Sequence, residues 1–170
     1  MNGYDFTKAD LPLLLVRKYF PERTDRESRI ILDWLAAHGD DYDRITFSVH
    51  IGDGLAPNPD HLPGIQKTTT YSTQKRIDVL AWQGSQPTII EVKERVTPAA
   101  LGQILTYRVL FLEELPDAPE PRLVVIGRYS DPDTIKGLNA HGVDVLLYPA
   151  DVTAGASAAA PAGPAAGTAP

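Results

Sequence analysis

From Arg44 to Ile51 the chain reads RITFSVHI, alternating so that Ile45, Phe47, Val49 and Ile51 share one side of a half-buried strand. The stretch before it keeps another period. Over 24–39, Ile30, Ile31, Trp34 and Leu35 recur at helical spacing, Thr24 and Glu27 form a capping box, and Gly39 ends the helix. Further along, RIDVLAW and TIIEVKE read as two strands joined by QGSQP. Thr97 and Pro98, as cap and first-turn pair, then open a helix that runs to about Leu115. RLVVIGRY is a continuous apolar strand, and DPDTIKGLNAHG a short helix with Asp131 as cap, Pro132 at the first position and Gly142 as stop. VDVLLY closes the pattern as a buried strand, and a short helix fits Leu11 to Tyr19. Between Gly52 and Gln74, GDGLAPNPDHLPGIQKTTTYSTQ is rich in Pro, Gly and hydroxyls and is expected as a loop, functional or disordered at that length. The order α-β-β-β-α-β-α-β predicts an α/β domain with a mixed sheet flanked by helices.

Composition narrows this little until the end of the chain. After Pro149 the residues are almost all Ala, Gly, Pro, Ser and Thr, so 1–150 is expected as the folded domain and 151–170 as a disordered tail. Hydrophobic residues make up 43% and charged residues 22%, ordinary for a globular protein. With no cysteine, thiolate metal sites and thiol nucleophiles drop out. No apolar run reaches the roughly 20 residues of a membrane span. LPLLLVRKYF lacks a basic leader and makes a poor signal peptide, so a cytoplasmic location is expected. The net charge of −6 argues against a sequence-independent grip on nucleic acid. It leaves room for a local basic track, because carboxylates that hold a metal count as negative in that sum.

The chemistry concentrates in RIDVLAWQGSQPTIIEVKER, where Asp78, Glu91 and Lys93 interrupt two apolar strands. A buried charge costs several kcal/mol unless something pairs with it. Glu91 and Lys93 point the same way along their strand, and a short turn pairs that strand antiparallel with the one carrying Asp78. Two carboxylates and an ammonium therefore converge, a donor set suited to Mg²⁺ or Mn²⁺.

Ile77-Asp78, then Glu91-Val92-Lys93, then Gln103 and Tyr107 four residues apart in GQILTY, resemble the PD-(D/E)xK nuclease superfamily and the QxxxY element of its RecB-like branch. The likeness covers roughly residues 24 to 128; Ile77 stands where the family name has Pro. It implies a restriction-endonuclease-like α-β-β-β-α-β core. It also implies a metal held by Asp78, Glu91 and the Val92 carbonyl, with Lys93 orienting or helping to deprotonate the attacking water, and Gln103 and Tyr107 completing the catalytic set. Relatives place a first-helix Glu at the metal, a role open to Glu27 besides its capping box. Tyr107 reads equally as packing beside Ile104, Leu105 and Leu110, whereas Gln103, on an apolar helix face, is expected as a buried amide needing a partner.

Between His61 and Asp78 no acidic residue occurs, and Lys67, Lys75 and Arg76 stand among Thr and Ser. Each alone is an ordinary solvated loop residue. Together, extended by Arg95 and Arg108, they would form a positive path for phosphates. The expectation is a metal-dependent deoxyribonuclease that hydrolyses phosphodiester bonds of DNA, as endonuclease or exonuclease. In a domain this small, self-association or a partner protein would supply specificity. The alternative is a catalytically idle module of the same fold with a structural or DNA-binding role, in a phage particle or a repair or defence complex.

Overall fold

The computed structural model describes residues 2–56 and 58–150. The expected tail at 151–170 lies outside the described residues. Strand β1 (Asn2–Thr7) leads into the short helix α1 (Leu11–Leu15) and then α2 (Asp25–His38). Next come β2 (Arg44–Ile51), α3 (Pro63–Thr73), β3 (Lys75–Gln83) and β4 (Gln86–Arg95). Helix α4 (Ala99–Glu114), β5 (Arg122–Tyr129), α5 (Pro132–Ala140) and β6 (Val143–Leu147) complete the order. The six strands form one sheet in sequence order, antiparallel from β1 to β4 and parallel from β4 through β5 to β6. Among the described residues no helix is long and apolar enough to cross a membrane.

Most expected elements fall where the residue pattern put them. Helix α2 starts at the capping box, with the Glu27 amide donating to Thr24 Oγ1 and the Thr24 amide to Glu27 Oε2. Asp131 caps α5 by accepting from the Thr134 amide. Thr97 makes no side-chain cap on α4; Pro98 takes the cap position, and the Thr97 carbonyl accepts from Ala100.

Two regions depart from expectation. The stretch expected as an unbroken loop contains α3, which buries none of its residues. Its Thr-rich sequence is held by hydroxyls folded back on their own helix: Thr68 donates to the Gly64 carbonyl, Thr69 to Ile65 and Thr73 to Thr69. The other departure is β1, an edge strand whose residues 3–7 are exposed apart from half-buried Phe6 and carry little periodic signal.

Hydrophobic side chains cover both faces of the sheet. On one face, Ile30, Ile31, Trp34 and Leu35 of α2 pack on Ile45, Phe47, Val79, Ala81, Ile90 and Val92. On the other, Ala100, Ile104, Tyr107 and Phe111 of α4 pack on Val49, Ile51, Ile77, Leu80, Ile89 and Val125. The expected single face of β2 is therefore split. Ile45 and Phe47 join the α2 side, Val49 and Ile51 the α4 side, and Ser48 between them has a left-handed φ of 54°. Strand β3 changes faces at the same level, Ile77 packing with α4 and Val79 with α2. Asp78 is the residue in between.

Candidate active site

The site lies where the sheet opens. Pairing of β3 with β4 ends at Val79 and Ile90. Below that point β3 stays with β2 as far as Lys75 opposite Ile51, while β4 stays with β5 as far as Arg95 opposite Tyr129. Asp78 and Glu91 are the first residues past the last pair. The Val92 amide has lost a strand partner there and donates instead to Asp78 Oδ2 at 2.8 Å. One carboxylate thus closes the fork and is fixed by it.

Both acids are deeply buried, Asp78 at 5% exposure and Glu91 at 1%. Lys93 Nζ lies 2.5 Å from Glu91 Oε1 and is 31% exposed, so the ammonium marks the solvent side of the site. Glu91 Oε2 is buried with no hydrogen-bond partner. Asp78 Oδ1 is held at 2.7 Å by Nη1 of Arg23, from the segment leading into α2. One residue earlier, Glu22 adopts a left-handed φ of 58° and places Oε2 2.6 Å from Arg76 Nη1. This turn therefore meets β3 twice, acid to base at Arg76 and base to acid at Asp78.

Electrostatics at the fork is dominated by missing solvent. Burial pushes the Asp78 carboxyl above its ordinary range; Arg23, the Val92 amide and Lys93 pull it back, and the charge of Glu27 adds to the rise. Burial and then the Asp78 charge push Glu91 up to about 7, against the pull of Lys93, and a protonated Glu91 gains further by hydrogen bonding to Asp78. Tyr107 is raised by burial and by the same two carboxylates, with Arg23 and Arg76 opposing. The phenol therefore borders the pair from the α4 side.

The structure brings together Asp78, Glu91, Lys93, Tyr107 and, at the rim, Arg76. It leaves other expected residues outside. Gln103 is exposed, one turn before Tyr107, because the apolar face of α4 turns Ile104 and Tyr107 inward and leaves position 103 to solvent; no buried amide exists there. Glu27 spends its carboxylate on the capping box and reaches Asp78 only through its charge. Lys67, on α3, and Lys75, at the start of β3, are solvent-exposed. Arg108 is paired with Glu120 at 2.6 Å, and Arg95 lies near Asp131, whose pKa it helps to lower. The hydroxyls of Thr68, Thr69, Ser72 and Thr73 donate to helix carbonyls, which occupies the donors expected for phosphate.

Arg23 carries no periodic or motif signal in YFPERTDRE, and the sequence pattern passes over it. Charge balance was the available clue. Two buried acids with a single lysine leave one negative charge to be answered.

The donor set suits a hard divalent cation. Burial and the Asp78 charge raise the Glu91 carboxyl, and Glu91 Oε2 is an acceptor with no donor. Among the described residues no group of three or more Asp, Glu or His side chains gathers, so Asp78 and Glu91 are the acidic ligands on offer, beside the backbone. No protein-family model, curated protein or solved structure matches the chain.

Proposed function

We propose that this chain is a divalent-metal-dependent nuclease of the PD-(D/E)xK superfamily, with the restriction-endonuclease-like core, hydrolysing phosphodiester bonds of DNA. The supporting observation is the fork itself: two nearly inaccessible carboxylates set side by side, with Lys93 at their solvent edge. As a purely structural device this is a poor choice, since buried ion pairs gain little over apolar residues of the same size.

Asp78, Glu91 and the Val92 carbonyl would hold Mg²⁺ or Mn²⁺. When bound, such an ion supplies a water nucleophile near neutral pH and charge neutralisation on the phosphorane-like transition state. The chain's own residues do the rest. Burial of Asp78 and Glu91 strengthens every charge interaction at the site. Lys93, anchored by Glu91 Oε1, presents a proton donor and a positive charge to an anion arriving from solvent. The Asp78–Val92 hydrogen bond fixes one acid relative to the peptide of the other strand, so the pair keeps its spacing.

A second reading, an idle nuclease-fold module, is favoured by one observation: Arg23 and Lys93 already supply a cation to each acid. Incubation of the purified protein with linear, circular and single-stranded DNA, with EDTA, Mg²⁺ or Mn²⁺, separates the two. Metal-dependent cleavage that Asp78→Asn abolishes supports the nuclease. Intact DNA in every lane, with no Mn²⁺ uptake by calorimetry, supports the idle module.

A further inference from the structure

The guanidinium of Arg23 is the least expected group at the fork and the most unevenly used. Nη1 is committed to Asp78 Oδ1 at 2.7 Å, and the side chain is 6% exposed. Nε and Nη2 are both buried and both lack a hydrogen-bond partner. These two nitrogens direct their N–H bonds to the same side of the planar group. They form the fork that binds two oxygens of a carboxylate or phosphate in parallel. One corner of the cation is therefore anchored, and its bidentate edge is unpaired but shut off from solvent, so an anion reaches it only as the strand fork opens.

Leaving that edge empty is costly. Each buried donor without an acceptor forfeits its hydration with nothing in return, and the loss is larger on a charged group. If Arg23 served only to neutralise Asp78, a lysine would reach the same oxygen with a compact charge and no idle fork. Arg76 repeats the arrangement alongside, with Nη1 on Glu22 at 2.6 Å and Nε buried without a partner. Both cations lie close enough to Tyr107 to oppose the rise in its pKa, and Arg23 is in direct contact with Asp78.

We infer that Arg23 is an oxyanion receptor: its Nε–Nη2 fork takes two non-bridging oxygens of a phosphodiester entering the fork between β3 and β4, with Arg76 Nε as an auxiliary donor. Asp78 has two duties under this reading, and one of them is to hold the guanidinium in place. That the anion is a nucleic-acid phosphodiester rests on the function proposed above. The bidentate oxyanion chemistry does not.

The test uses dimethyl phosphate, the smallest phosphodiester monoanion, and a fluorescein-labelled DNA 20-mer, each in EDTA and in Ca²⁺. In the wild type, the Arg23 Nε–H resonance in a ¹H–¹⁵N spectrum shifts on titration with dimethyl phosphate, while that of the outlying Arg122 does not. Arg23→Lys keeps a cation on Asp78 but has no fork. It is expected to weaken dimethyl phosphate and DNA binding by roughly tenfold or more, with a melting temperature close to wild type. A stationary Arg23 Nε signal at saturating dimethyl phosphate overturns the proposal, and so does a folded Arg23→Lys protein that binds as tightly as wild type. The spectral arm needs no variant, so a misfolded Arg23→Lys leaves the test intact. If Arg23 takes dimethyl phosphate but no DNA is cut in Mg²⁺ or Mn²⁺, the nuclease falls and the anion site stands. If DNA is cut and Arg23→Lys matches wild type in kcat and KM, the anion site falls alone.

Discussion

Replacing Glu91 by Gln removes a charge while keeping the shape of the side chain, and the fork gives this change a definite pH signature. In the folded protein the Glu91 carboxyl titrates at about 7, against an ordinary value of 4.5, because burial and Asp78 outweigh Lys93. A carboxyl whose pKa rises on folding binds its proton more tightly in the folded state. Its stabilising contribution is complete below 4.5, declines as pH rises, and is gone above about 7. The shift corresponds to about 3 kcal/mol. Asp78 is displaced the same way, chiefly by burial. Gln resembles the protonated acid at every pH. Glu91→Gln should therefore exceed wild type by less than about 1 kcal/mol at pH 5 and by about 3 kcal/mol at pH 8, the latter roughly 6–12 °C in melting temperature. Urea unfolding in EDTA at the two pH values measures this directly, and titrations elsewhere cancel in the comparison. Adding Mn²⁺ at pH 8 should recover most of the deficit in wild type and nothing in the variant. A stability difference between the two proteins that is the same at pH 5 and pH 8 would refute the reasoning, because it would mean the buried pair carries no excess charge.

Asp78→Ala should abolish metal-dependent cleavage and also destabilise by about 3–5 kcal/mol, since it leaves the buried Arg23 without a counter-ion; adding Arg23→Met should restore most of the melting temperature but none of the activity. Lys93→Ala, at a third-exposed position, should leave stability within about 1 kcal/mol and cut kcat far more than DNA affinity, and an equal loss in both would make Lys93 a phosphate clamp. Gln103→Ala should leave the melting temperature unchanged, because the side chain is solvent-exposed; a drop of several degrees would contradict the packing of α4.

Period and punctuation made most of the fold readable in advance. The Thr24–Glu27 box and the Asp131-Pro132 start are local signals acting over three or four residues, and both helices begin there. Asp78, Glu91 and Lys93 could be seen as a site because each breaks an apolar strand. What stayed hidden depends on tertiary context. The single face assigned to β2 fails at Ser48, where both sides of the sheet are covered and one backbone torsion changes which side each residue meets. Helix α3 has no apolar stripe to betray it. Gln103 lies at the edge of the buried face, between exposed Gly102 and buried Ile104, and from α4's largely apolar sequence alone its position on the helix circumference could not be fixed. Arg23 was invisible because an ion pair across 55 residues leaves no pattern in the chain.

Backbone strain supplies an argument for function that is independent of the charges. Among the described residues, the only non-glycine positions at positive φ are Glu22 and Ser48. Each costs on the order of 1–3 kcal/mol and persists only where the surrounding structure holds it. They meet at one place. Ser48 Oγ donates to the Pro21 carbonyl at 3.0 Å, while Glu22 holds Arg76 and its neighbour Arg23 holds Asp78. Ser48 also lies at the level of β2 where β3 carries Asp78, between the pairs Phe47–Val79 and Val49–Ile77. A sheet optimised for stability alone would keep β2 and β3 regular there and fill position 78 with an aliphatic side chain. Instead, two strained torsions, a broken strand pair and four buried or half-buried charges coincide within a few residues of the fork. Relaxing the strain should therefore trade function for stability. Glu22→Gly removes one strained torsion and also the Arg76 pair, which frees Arg76 to swing out. If the site is kept for its chemistry, that variant should unfold no earlier than wild type by more than about 1 kcal/mol, yet bind DNA more weakly. A variant that is destabilised by several kcal/mol with DNA binding intact would mean the turn is structural and the coincidence accidental.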